Sequence, residues 1–436
     1  MPQRSISDLD FGDRERTDRS LSEQVRNLVG SEILKIAADI RQRIEAGHTV
    51  CNLTVGDFEP RNFPIPETLS EGIQTALAAG ETNYPPSDGV ETLRQAVAGH
   101  VAREWGVRYP VESILIAGGA RPILYATYRC VLNPGEKVVY PVPSWNNNHY
   151  TWLAGASGVA VPTRMEDGFM PTLDLLAPHL GDARLLCLNS PLNPTGTVIE
   201  PEQLRAIVEA VVQENRKRTA QGRRHLFLLY DSVYGSLIFG DAKHHVPPGL
   251  VPESAPWVVC LDGVSKAFAA TGLRVGWVLA APTVTARMKD FLGHVGAWAP
   301  RAEQVAVAAF LGDTSAVENF KCQMAGRVRE RLEALHEGFS RMQADDYPVD
   351  CVNPQGAIYL SLRIDVIGRK LDGDPIEDNE TLRKLLLARA GFAVVPFQAF
   401  GLDEETGWFR ISVGAVSLDE IRGLFPRFRH LLDLLD

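Results

Sequence analysis

The segment Asp262-Gly263-Val264-Ser265-Lys266-Ala267-Phe268, running on to Thr271-Gly272-Leu273-Arg274-Val275-Gly276, follows an apolar run that begins at Trp257. A lysine at the end of an apolar strand is costly to bury unless its amine finds a partner or does chemistry. Desolvation lowers an amine's pKa, and a neutral amine attacks an aldehyde, so the position suits a lysine that carries an aldehyde cofactor covalently. Eight residues later Arg274 stands between Gly272 and Gly276. Glycines let the backbone approach an anion closely, and a guanidinium can grip a phosphate with two bonds. Taken singly, each residue is as well explained as a surface lysine or a structural arginine; the pair at this spacing is far more specific.

Outward from this segment, short apolar runs alternate with helical periodicity. Candidate strands are Ser113–Ala117, Lys137–Tyr140, Gly158–Val161, Arg184–Asn189, His225–Tyr230, Trp257–Asp262 and Leu273–Ala280, with helices such as Ile123–Val131 and Glu202–Asn215 between them. Pro201 sits where a first helical turn tolerates proline. Strand–helix alternation predicts an α/β domain with a mostly parallel sheet. Beyond about residue 300 the pattern changes to a long helix over Ala302–Met342, short strands near Ala357–Leu362, Ala393–Pro396 and Trp408–Val413, and helices over Glu380–Ala390 and Leu418–Leu434. This reads as a second, α+β domain, against which a helix over Ser31–Ala46 is expected to pack.

Further strand ends carry polar groups. Asp231, in Tyr230-Asp231-Ser232-Val233-Tyr234, ends an apolar strand, where open α/β sheets bind ligands. A carboxylate there can keep a pyridine nitrogen protonated; the competing reading is a helix N-cap. Tyr234 is placed to reach a neighbouring phenolic oxygen. Asn189-Ser190-Pro191-Leu192-Asn193-Pro194-Thr195-Gly196 forms a stiff turn able to hold the Asn193 amide against a ring oxygen. Gly118-Gly119-Ala120-Arg121-Pro122 joins a strand to a helix opened by proline, the arrangement of an anion site. Trp145 follows a proline-stiffened strand end and suits stacking on a planar ring, or a core or interface role. Arg410, inside the apolar strand Trp408-Phe409-Arg410-Ile411-Ser412, needs a partner: a substrate carboxylate, or an internal Asp or Glu.

Composition narrows the function classes. The 436 residues are 45% hydrophobic and 22% charged, with a net charge of −10, which offers no footprint for nucleic acid. No apolar run approaches the ~18 residues of a membrane span. The first twenty residues are polar and mix acidic with basic side chains, so neither a secretory signal nor a transit peptide is expected. The six cysteines are scattered without a C-x-x-C pair, which points to a reducing cytoplasm and no metal site.

Together and in this order, the Lys266/Arg274 segment, the Asn193 loop and the Arg410 strand resemble those of the class I/II aminotransferases, fold-type-I enzymes dependent on pyridoxal phosphate (PLP) and related to aspartate aminotransferase. The resemblance spans about Leu21 to the end. It implies that Lys266 holds the cofactor and acts as the catalytic base, that Asp231 meets the ring nitrogen, and that Asn193 and Tyr234 meet the ring hydroxyl oxygen. It implies that Trp145 stacks on the ring and that Gly119, Ala120, Arg121, Ser265 and Arg274 hold the phosphate. Gly56 and Arg410 would face the substrate, with Trp145 and Asn193 beside them, and Tyr84 would reach the cofactor phosphate of a partner subunit in a homodimer. One departure is Gly263, where many relatives carry a phosphate-binding serine.

The same resemblance implies a large domain over 62–308 with a mostly parallel seven-stranded sheet. A smaller α+β domain is assembled from 21–61 and 309–436, after a mobile arm over 1–20. The expected reaction moves an amino group between an L-amino acid and a 2-oxo acid, best aspartate or glutamate with 2-oxoglutarate or oxaloacetate, Arg121 or else Arg301 binding the distal carboxylate as a buried cation; the competing reading is that Arg121 only adds charge beside the phosphate or faces solvent. Amino transfer from alanine or an aromatic amino acid, a PLP-dependent lyase or synthase of the same fold, and a non-catalytic PLP-sensing regulator are the alternatives; the last usually carries a helix-turn-helix module, for which the N-terminal arm is too short.

Overall fold

Each of the seven candidate strands forms part of one sheet: β1 (Ile114–Ala117), β2 (Lys137–Val142), β3 (Ser157–Pro162), β4 (Ala183–Asn189), β5 (Phe227–Asp231), β6 (Val258–Gly263) and β7 (Gly276–Leu279). The computed structural model describes residues 9–30 and 32–436. The spatial order is β1-β7-β6-β5-β4-β2-β3. Only β7 runs antiparallel to its neighbours; the other pairings are parallel. Strands such as β4 are buried almost throughout, as expected where helices cover both faces of a parallel sheet. β7 starts later than its apolar run because Leu273 lies in a 3₁₀ turn and Arg274 has a left-handed backbone, φ 57°.

Near the N-terminus, residues 1–8 of the expected mobile arm and Ser31, the expected start of the next helix, lie outside the described residues. The rest of the arm contains a helix, Arg14–Arg19, capped by the Asp13 side chain and with no buried residue. Helix α1 (Glu32–Glu45) turns Ile36 and Ile40 onto Phe397, Phe400 and Trp408. On one face of the large sheet, α2 (Glu91–Trp105) presents Leu93, Val97 and Val101. The other face carries Ile123 and Leu124 of α3 (Ala120–Val131). α4 (Pro201–Ala220), opened by Pro201, returns to the first face through Leu204, Ile207 and Val211.

The helix expected over Ala302–Met342 is two helices, α5 (Arg301–Gly312) and α6 (Thr314–Ala344). Asp313 separates them by capping α6, its side chain accepting from the Ala316 amide at 3.0 Å. The second sheet is antiparallel, with β8 (Val349–Cys351), β9 (Tyr359–Ile364), β10 (Val395–Pro396) and β11 (Trp408–Ser412) in the order β10-β11-β9-β8. α7 (Leu418–Asp433) packs Ile421, Leu424 and Phe428 into the core beside this sheet and starts with a capping box between Ser417 and Glu420. β9 and β11 are held over the carboxyl ends of β4, β5 and β6, and a cavity lies between.

Candidate active site

The cavity has a volume of about 650 Å³. β4 contributes Asn189, β5 Asp231, the turn after β6 Ser265 and Lys266, β9 Tyr359 and β11 Arg410. Gly56, Ala120, Arg121, Trp145, Asn193, Tyr234 and Arg274 also line it. Gly119, Tyr84 and Arg301 do not.

Lys266 Nζ donates to the Gly56 carbonyl at 2.5 Å. Burial pushes its pKa down to about 8; nearby Asp57 opposes the fall, while Arg410, Arg121 and Arg274 add to it. Asp57 is itself fixed by a 2.6 Å bond from Thr271 Oγ1. The lysine is therefore a desolvated amine without a hydrogen-bonded carboxylate partner among the described residues, well suited to nucleophilic chemistry near neutral pH.

Asp231 accepts the Val233 amide at 3.1 Å, but a turn rather than a helix follows it, which removes the helix-cap explanation. Burial raises its carboxyl to about 6, against the Val233 bond and the Lys266 charge, which lower it. A cationic partner inside the cavity would lower it further. Asn189 ties this strand end to the next loop: its Nδ2 donates to the Asp231 carbonyl at 2.9 Å, and its Oδ1 accepts the Asn193 amide at 2.9 Å. Tyr234 Oη lies 2.6 Å from Tyr359 Oη.

One end of the cavity is built for an anion. Gly119, with φ 91°, precedes α3, and a Cβ there would lie 2.4 Å from Arg274 Nη2. Its own amide is engaged by the Ala117 carbonyl at 2.7 Å, so Gly119 provides room for Arg274 and does not itself donate into the cavity. The donors are the amides of Ala120 and Arg121 in the first turn, which have no carbonyl partner within the helix. Arg274 is braced by bonds to the carbonyls of Thr271, 2.8 Å, and Gly118, 3.0 Å.

Arg410 is buried, with only 1% exposure. It donates to Asn193 Oδ1 at 3.2 Å and to the Thr54 carbonyl at 2.5 Å, and lies over the rings of Tyr359 and Phe400. Its Nε has no partner. Among the described residues no Asp or Glu pairs with it, so the internal ion pair considered for it is absent. A buried guanidinium in this state needs an anion.

Two expectations about distal cations are corrected. Arg121 lines the cavity, but it is exposed, and its guanidinium stacks on Trp145 at 4.7 Å from the ring centroid; the description of it as a buried, unpaired cation fails. Arg301 is ion-paired with Glu81, which neutralises it away from the cavity. Tyr84 is 81% exposed and rests edge-on against Trp298.

Sequence reasoning passed over Tyr359, Asn189, Asp57, Tyr150 and Cys187, all cavity-lining. Asn189 and Cys187 stand in a strand already identified, and the alternation of side chains along it offered a signal for Cys187. Tyr359 had none, because it reads as one more apolar position of β9.

Comparison with known proteins places these features in context. The family model described as aminotransferase class I and II matches residues 48–428. An aspartate aminotransferase of Streptomyces avermitilis is 29% identical over 424 residues, covering 95% of this chain and 97% of that protein. A probable aspartate/prephenate aminotransferase of Thermus aquaticus is 31% identical over 388 residues, covering 88% and 93%. The crystal structure of an aspartate aminotransferase from Rhizobium meliloti superposes with a TM-score of 0.87 at 26% identity, covering 96% of this chain and all of that one.

Proposed function

The chain belongs to the aminotransferases of class I and II, and from that premise we propose its reaction: an amino group is exchanged between aspartate or glutamate and oxaloacetate or 2-oxoglutarate, with Lys266 as the residue that would hold PLP. The observation that carries this reading is Arg410, a buried guanidinium with an unpartnered Nε and no carboxylate of its own, in the same cavity as a desolvated lysine.

The residues fit the cofactor. The α3 amides, Ser265 and Arg274 would hold its phosphate, Trp145 would face its ring, Asp231 its ring nitrogen, and Asn193 and Tyr234 its ring oxygen. When bound, PLP supplies an electron sink that lets a proton leave the amino acid's Cα. Arg410 binds the α-carboxylate and so fixes which Cα bond faces the base. Lys266, whose amine is easily neutral near pH 8, takes the proton from Cα and gives it back in the reverse direction. Asp231 keeps a negative charge opposite the ring nitrogen once a cation is beside it. Arg121, reaching the cavity from the first turn of α3, is the distal cation for a second carboxylate. The aspartate-acting relatives support this choice of substrate.

The proposal includes a C2 homodimer completed by Tyr84, and a reducing cytoplasm, in keeping with six free cysteines. Among the described residues no helix is long and apolar enough to cross a membrane. The large domain over 62–308 and the small one from 21–61 and 309–436 are part of the same reading, supported by separate apolar cores on the two sheets.

A half-reaction screen tests it. The PLP form is mixed with single amino acids while the cofactor absorbance is followed. Aspartate and glutamate should convert it fastest to the amino form. Release of ammonia and pyruvate without that conversion would assign a lyase instead.

A further inference from the structure

Tyr359 stands on β9 and Tyr234 follows β5, so their 2.6 Å contact joins the two sheets inside the cavity. Burial holds both phenols above their ordinary range, so each keeps its proton. Two hydroxyls sharing one hydrogen bond have two arrangements. If Tyr359 donates to Tyr234, the Tyr234 proton is free to point elsewhere in the cavity. If Tyr234 donates to Tyr359, the Tyr359 proton is the free one.

Gly56 shows where that second proton would point. A Cβ built on Gly56 would lie 2.9 Å from Tyr359 Oη and 3.7 Å from Arg410 Nη1. The phenol and the guanidinium thus border one small volume, kept open by the missing side chain. Arg410 also lies over the Tyr359 ring, 4.7 Å from its centroid. An anion drawn into this volume by Arg410 comes within reach of the Tyr359 hydroxyl.

We propose that Tyr359 is a second ligand for the substrate carboxylate and that, by donating to it, it reverses the Tyr234–Tyr359 hydrogen bond. With the carboxylate absent, Tyr359 donates to Tyr234, and Tyr234 donates to the ring oxygen. With the carboxylate seated on Arg410, Tyr359 turns its proton to the carboxylate and Tyr234 turns its proton to Tyr359. The hydrogen bond to the ring oxygen is then withdrawn when, and only when, substrate is in place. No proton leaves either phenol; only the direction of the donors changes. The inference rests on the proposed roles of Arg410 and Tyr234.

The test uses the PLP-loaded protein and propionate, a carboxylate with no amino group to react. Its dissociation constant is measured by calorimetry for the native chain, Tyr359→Phe, Tyr234→Phe, the double variant and Arg410→Gln. Tyr359→Phe should weaken propionate about tenfold, the scale of one hydrogen bond to a charged group. Tyr234→Phe should not weaken it, because the hydrogen bond that Tyr359 gives up on turning to the carboxylate is already absent there. The double variant should be no weaker than Tyr359→Phe alone. Unchanged affinity in Tyr359→Phe, a loss in Tyr234→Phe, or a double variant weaker than Tyr359→Phe alone would overturn the inference. Propionate should also shift the pH titration of the cofactor absorbance in the native chain and shift it less in Tyr359→Phe; equal shifts would count against the reversal. If Arg410→Gln binds propionate as well as the native chain, the carboxylate-site reading itself fails. If Arg410→Gln weakens binding and Tyr359→Phe does not, only the present inference fails.

Discussion

Gly263 and Gly276 face each other across β6 and β7, and neither has room for a Cβ. A Cβ on Gly263 would lie 2.8 Å from the Val275 carbonyl oxygen, and one on Gly276 would lie 2.7 Å from the Gly119 carbonyl carbon. The turn before α3, β7 and β6 are therefore stacked backbone on backbone. This accounts for the glycine at position 263: the space a side chain would need is filled by the neighbouring strand.

Gly263→Ser should consequently destabilise the protein by roughly 1–3 kcal/mol, the usual cost of overpacking, and should not tighten phosphate binding. Urea denaturation would show a lower midpoint with an unchanged slope. A variant as stable as the native chain that also retains PLP more firmly would contradict this.

Lys266 should be the residue that carries PLP, so borohydride reduction and peptide mapping should find the label there and on no other lysine. In the cofactor-free protein its amine should react with acylating reagents at a rate that rises through about pH 8. Because its folded pKa lies below the ordinary value of 10.5, the unfolded chain binds the extra proton between these values, and stability from this group increases with pH across that window. Lys266→Met should thus gain roughly 3–4 kcal/mol near pH 7, from a shift worth about 1.4 kcal/mol per pH unit, and the gain should shrink toward pH 10. A gain independent of pH would mean the amine is not desolvated.

Arg121→Ala should lower kcat/KM for aspartate by about 10²-fold, equivalent to roughly 2–3 kcal/mol of a charge-assisted pair, and affect alanine far less. Arg121→Lys should recover only part, since the flat guanidinium that stacks on Trp145 is lost. Equal losses for aspartate and alanine would assign Arg121 to the anion end of the cavity and remove the case for a distal carboxylate.

Tyr84, almost fully exposed in the single chain, should become buried in a dimer and complete the partner's site. Heterodimers of Tyr84→Ala with Lys266→Ala chains would contain one site bearing both lesions and one intact site, and should regain part of the activity. Verified heterodimers with no recovery would show that the site is not shared.

Most of the site was readable because its residues stand where local rules put them. Asp231 and Lys266 follow apolar runs whose ends can be located from composition, and open α/β sheets bind ligands at those ends. Arg410 was legible because an arginine in a buried strand demands an anion. The interruption of the long helix at Asp313 was legible in principle, as a capping aspartate after Gly312, but strong helical periodicity on both sides obscured it.

By itself, the sequence determined the seven-strand α/β arrangement, the strand ends that line the cavity, and the need for an anion beside Arg410, because apolar periodicity and the cost of burying charge act on neighbouring residues. Tertiary structure alone decided what those groups meet. Glu81 neutralises Arg301 across 220 positions of chain, Trp145 takes up Arg121, and Tyr359 reaches Tyr234 across 125 positions. Such pairings arise only when the packed cores bring distant segments together, and no local pattern encodes the distance between two side chains that meet on different sheets.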